Sequence, residues 1–156
     1  MRNTGKPAES FFEEVWRSFG KAVVVHRFED THALTSAKAS RTGESFRKSM
    51  VFASEQPADY LIVSRHEGVF FAEVKSISKM TFPFSMFKAG QLSMGKRAST
   101  AREGSYIVFI RCELDMRWWR IDWRFIQSLM DQGLKSFRLQ DLPPEYLWRA
   151  GNDYEA

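Results

Sequence analysis

Two apolar runs, residues 60–64 (YLIVS) and 69–76 (VFFAEVKS), flank Arg65-His66-Glu67-Gly68, and this pair constrains the fold more than any other feature of the chain. A four-residue gap with Gly at its end suits an antiparallel hairpin. Pro57 can open the first strand but not sit at its centre, because it has no N–H for the ladder. Antiparallel pairing returns the chain to the end from which it started, so Asp59 can face Glu73. Glu73 and Lys75 are two residues apart and leave the same sheet face. Two carboxylates and one ammonium are therefore expected at one rim of the hairpin.

Around the hairpin, the pattern predicts the order helix, strand, long basic loop, hairpin, helix, strand, strand, helix, which is mixed α/β. Residues 10–19 read as a short helix, with Phe12, Val15, Trp16 and Phe19 on one stripe and Gly20 as the stop. Glu9 and Glu13 lie beside that stripe. Residues 22–28 read as a buried strand whose polar end, His26-Arg27, meets solvent or a site. Residues 31–56 are rich in Ser, Thr, Ala, Lys and Arg with little periodicity, and are expected to be a mobile basic segment. Thr81-Phe82-Pro83-Phe84 breaks the pattern before a helix over 85–102 capped by Ser85 and weakened by Gly90 and Gly95. Strands over 106–110 and 116–121, a helix over 123–130 and a loose tail complete the expectation. In a strand, Trp118 and Trp119 must point to opposite faces, which leaves one of them for a base or a subunit contact.

The length of 156 residues, with 44% hydrophobic and 27% charged, suits one domain spanning 1–156. A single cysteine, Cys112, excludes an internal disulfide and a Cys-rich zinc site. No apolar run reaches the roughly 20 residues that cross a bilayer, and the first residues lack a secretory apolar stretch. A soluble, cytoplasmic protein without a membrane partner is expected. The net charge of +4 tilts toward an anionic partner.

The hairpin rim suggests a specific chemistry. Hydrolysing a phosphodiester calls for a divalent metal that gathers charge and lowers the pKa of a water, and Mg²⁺ takes a few carboxylates plus water and substrate oxygens. Asp59 and Glu73 supply the carboxylates, and the main-chain carbonyl of Val74 adds an oxygen. Lys75 is placed to orient the water or offset negative charge on the phosphate. The same spacing also describes a turn aspartate and a solvated Glu-x-Lys ladder on an edge strand. His26, His32 and His66 lack metal-ligand spacing.

Asp59-Tyr60-Leu61-Ile62-Val63, Phe71-Ala72-Glu73-Val74-Lys75-Ser76, Thr81-Phe82-Pro83-Phe84, Gln91-Leu92 and the strand Tyr106-Ile107-Val108-Phe109-Ile110-Arg111 together resemble the PD-(D/E)xK nuclease superfamily, and within it the RecU-like Holliday-junction resolvases and their phage relatives. The resemblance covers about residues 57–111, with a looser match over the first thirty. It departs at Ala58, which separates Pro57 from Asp59. It implies a restriction-endonuclease-like α/β fold, a mixed sheet flanked by helices. It makes Asp59 and Glu73 the metal carboxylates, Lys75 the catalytic lysine and Gln91 a helix glutamine near the site. Gly5-Lys6-x-x-Glu9 resembles an N-terminal motif of the phage relatives, which makes Glu9 an additional acid, with Glu13 as the fallback. A helix-start acid favoured by the dipole describes Glu9 equally well.

The implied activity is Mg²⁺-dependent cleavage of four-way junctions or other branched DNA, with Mn²⁺ able to substitute, by a homodimer in a bacterial or phage-infected cell. Two alternatives remain: a duplex-cutting, restriction-like or DNA-degrading nuclease of the same fold, and an inactive DNA-binding module. Lys79, Lys88, Lys96 and Arg97 bracket the site in sequence and are candidates for phosphate contacts, as are Arg41, Arg47 and Lys48 in the basic segment. Phe82, Phe84 and Phe87 fit core packing better than wedging between bases.

Overall fold

In the computed structural model of the chain, residues 5–28 and 56–149 are described. Helix α1 spans Gly5–Ser18, and a 3₁₀ turn at Gly20–Ala22 leads into β1, Val23–Arg27. The hairpin forms as expected, with β2 at Tyr60–Ser64 and β3 at Gly68–Ile77. Its strands are antiparallel, and Tyr60 opposite Ala72 is the pair nearest the rim. Gly68 has φ +77°, the left-handed conformation that closes the turn.

After β3 come β4 (Thr81–Pro83), α2 (Ala89–Ala101), β5 (Tyr106–Cys112), β6 (Trp118–Asp122), α3 (Trp123–Asp131) and β7 (Ser136–Arg138). The main sheet runs β1-β2-β3-β5-β6, parallel between β3 and β5 and antiparallel elsewhere. Such a parallel pair needs a crossover, and α2 lies on it. The chain is therefore mixed α/β, a mixed five-stranded sheet flanked by helices.

Each face of the sheet has its own core. Ala8, Phe12 and Trp16 of α1 pack with Tyr60, Ile62, Phe70, Ala72 and Phe109 on one face. On the other, Tyr106, Val108, Ile110 and Ile121 meet Phe82, Phe87, Trp123 and Ile126. Alternation along β3 divides Ala72 and Val74 from Ile77 in this way, and so puts Glu73 and Lys75 on the α2 side.

Several local expectations are corrected. Helix α1 starts at Gly5 rather than at residue 10, because Pro7 in its first turn costs no internal hydrogen bond. Ser85 does not cap α2: it lies in a 3₁₀ turn, Phe84–Met86, after which Phe87 is extended and Lys88 is the cap residue. Gly95 lets α2 approach α3 closely, since a Cβ there would lie 2.3 Å from Cδ2 of Trp123, the first residue of α3. The expected break at Thr81–Pro83 is a strand, and its partner β7 comes from the expected loose tail. Trp118 and Trp119 do face opposite cores, yet both are buried; Trp118 stacks on Phe11 at 5.5 Å and meets Trp148 edge-on, so neither is open to a base. Among the described residues no helix is long and apolar enough to cross a membrane.

Candidate active site

The hairpin rim owes its geometry to a mismatch in strand length. β3 continues past Ala72, where β2 has already ended, so its later amides need another acceptor on that side. Asp59 supplies it: Oδ2 accepts from the Val74 N–H at 2.8 Å. The Asp59 carbonyl in turn accepts from Phe28 N at 2.9 Å, tying β1 to the same rim. Phe71 N and the Ile77 carbonyl bond toward β5, through Ser105 and Glu113. Alternate residues of a strand direct both backbone groups to one edge, so the Val74 carbonyl leaves on the Asp59 side with its N–H.

Glu73 has no exposed surface. Its Oε1 accepts from Lys75 Nζ at 2.6 Å and from Gln91 Nε2 at 2.5 Å. Its Oε2 is buried without a hydrogen-bond partner. Burial, followed by the charge of Asp59, pushes the Glu73 carboxyl up to about 8, against the pull of Lys75. Burial also raises Asp59, opposed by the Val74 N–H and by Lys75 and Lys88. Two acids held together and away from water favour a cation or a proton between them.

Gln91 orders the centre of this cluster. Its Oε1 accepts from Lys75 Nζ at 3.2 Å and from the Lys88 backbone N–H at 2.9 Å, so the first turn of α2 is fastened to Lys75 of β3. Lys75 also lies 5.9 Å from the centre of the Phe87 ring, a cation–π contact.

Glu9 comes to the same rim from α1. Its carboxyl is raised by burial and then by the charge of Asp59, while Arg27, Lys6 and Lys75 lower it. Arg27 forms an ion pair with Glu9, and Tyr60 Oη donates to the Glu9 carbonyl at 3.3 Å. Glu13 pairs with Arg17 at 2.7 Å and shares the partners of Glu9, with Arg27 at 3.8 Å and Tyr60 Oη donating to its Oε2 at 3.4 Å. The sequence assigns Arg27 no role beyond the polar end of its strand, which is the one signal that it meets a site.

Asp59, Glu73, Lys75, Gln91 and Glu9 are thus gathered at one end of the sheet. The donor set fits a hard divalent cation: two carboxylates, one with an orphaned buried oxygen, and the main-chain carbonyl of Val74. No group of three or more His, Cys, Asp or Glu suited to a metal occurs among the described residues.

The basic candidates are less concentrated. Lys88 stands at the start of α2, near enough to act on Asp59. Lys79 is exposed beyond the end of β3. Lys96 and Arg97 are exposed about two turns farther along α2, roughly 10 Å from its start, and do not join the acidic cluster. Arg41, Arg47, Lys48, His32 and nearly all of the 31–56 segment lie outside the described residues. His26 and His66 are exposed, and Phe82, Phe84 and Phe87 are buried in the core.

In comparisons with known proteins, no family model and no curated protein matches the chain.

Proposed function

We propose that the chain is a metal-dependent endodeoxyribonuclease of the PD-(D/E)xK type, which hydrolyses phosphodiesters in four-way junctions or other branched DNA. The observation that carries this reading is Glu73, fully buried beside a second acid with one carboxylate oxygen unpartnered. An arrangement of this kind is costly unless positive charge is gathered there.

Asp59 and Glu73, with the Val74 carbonyl, would hold Mg²⁺ or Mn²⁺ at the rim. The bound cation would supply charge neutralisation at the phosphate and a more acidic water. Lys75 sits on the same face as Glu73, with its ammonium positioned by Gln91, and would orient that water and offset charge developing on the phosphate. Gln91 supports both side chains and keeps them in place, as the groups behind metal ligands do. Glu9 would add a further acid beside Asp59.

The resemblance supplies the branched substrate, and with it a homodimer in the cytoplasm of a bacterial or phage-infected cell. Symmetric resolution needs two nicks, hence two sites related by a two-fold axis. The test is incubation of the purified chain with labelled four-way junction and matched linear duplex, in Mg²⁺ and in EDTA. Junction cutting that requires Mg²⁺ and exceeds duplex cutting is expected. Equal cutting of both substrates would favour the duplex nuclease, and binding without cutting would favour the inactive module.

A further inference from the structure

Beyond Lys75, β3 continues to Ile77 and the chain turns back as β4, leaving a cavity of about 280 Å³ at the turn. Ile77, Pro83 and Met86 form its apolar wall, and Ser76, Ser78, Lys79 and Thr81 its polar rim. The shape is fixed by the core beneath. Phe82 has no exposed surface and packs on Phe87 and Phe137 at 5.4 Å, so its strand neighbours Thr81 and Pro83 turn to the other side, toward the cavity.

This cavity lies at the end of the strand that carries Glu73 and Lys75. Ile77 follows Lys75 by two residues on one strand face, about 7 Å along the chain. That is about two steps of a DNA strand, at about 3.4 Å of rise each. An apolar wall, hydroxyl groups and one ammonium match the surfaces of a nucleotide, which offers a flat base, a sugar and a phosphate. The nearby acid Glu113 accepts from Ser76 Oγ at 2.5 Å and pairs with Arg111 at 3.5 Å, so its charge is offset.

Building on the nuclease reading, we infer that this cavity binds a nucleotide of the substrate strand one or two positions from the scissile phosphate. Lys79 meets its phosphate, and Met86 and Pro83 meet its base and sugar.

The test is methyl NMR of the full chain labelled at methionine, titrated without metal with 2′-deoxyadenosine 5′-monophosphate and, separately, with inorganic phosphate. The nucleotide should move the Met86 signal saturably at concentrations on the order of millimolar, with Met94 as internal control. Inorganic phosphate should move it less, and Lys79→Ala should weaken nucleotide binding about tenfold. An unmoved Met86 signal, equal shifts with inorganic phosphate, or unchanged affinity in Lys79→Ala would each overturn the assignment. Because binding is read without metal, failure here differs from failure of the nuclease reading, which appears as absent Mg²⁺-dependent cleavage.

Discussion

Gln91 donates its side-chain amide to Glu73 Oε1 at 2.5 Å and accepts from Lys75 at 3.2 Å, so one helix residue holds both charged groups of the Glu-x-Lys strand. Removing it leaves a buried carboxylate with one donor fewer and loosens the start of α2. Gln91→Ala should lower stability by about 1–3 kcal/mol in urea denaturation. Metal affinity or cleavage should fall roughly 10–100-fold, as with other groups behind metal ligands. Unchanged cleavage would show that Lys75 needs no support from α2.

Glu73 sets the pH dependence of the metal-free chain. Burial pushes its folded-state carboxyl up to about 8, against an ordinary value of 4.5. Below the ordinary value both folded and unfolded chains carry the proton. Between the two values only the folded chain holds it, so stability is lost as pH rises and the loss is complete above the folded value. Asp59 shifts in the same direction. Urea midpoints in EDTA should therefore fall from about pH 5 to about pH 9, and Glu73→Gln should flatten that slope. A rising slope would contradict the burial of Glu73.

Much of this site was legible from the chain because it depends on strand periodicity. A short turn ending in glycine fixes the hairpin register, and the register alone carries Asp59 to Glu73 and Lys75. What escaped depends on partners distant in sequence. β4 and β7 are three residues each and pair across the core, where propensity carries little signal. Ser85 looked like a cap because Ser favours that position, but burial of Phe84 and Phe87 pulls the preceding turn into the core and delays α2 to Ala89. The alternation leaves one of Trp118 and Trp119 without an evident core, because the cover of Trp118, Phe11 and Trp148, comes from opposite ends of the chain. Gln91 came only from the resemblance, since nothing in a helix pattern marks a glutamine that reaches across to a strand.

A divalent cation should reverse the penalty of two buried acids. With free Mg²⁺ at about 100 times its Kd, the folded chain should gain roughly 2.7 kcal/mol. Denaturation with and without Mg²⁺ measures this gain, and Glu73→Gln should abolish it. An equal gain in that variant would place the cation elsewhere.

Gly95 tests the packing of α2 against Trp123 of α3. Alanine is the better helix former by about 1 kcal/mol. Its Cβ, however, would lie 2.3 Å from the Trp123 ring, which has no exposed surface and is wedged against Phe87 and Tyr106. Overpacking of this kind typically costs about 1–3 kcal/mol. Gly95→Ala should therefore be less stable in urea, and a more stable variant would contradict the close approach.

The most direct measurement compares Mg²⁺-dependent cleavage of a labelled four-way junction by the wild-type chain and by Asp59→Asn. Asparagine keeps an oxygen for the Val74 N–H, now accepted by Asp59 at 2.8 Å, and removes only the charge. Cleavage should be abolished while junction binding persists. Cutting by Asp59→Asn at the wild-type rate would remove Asp59 from the chemistry and contradict the metal-dependent mechanism.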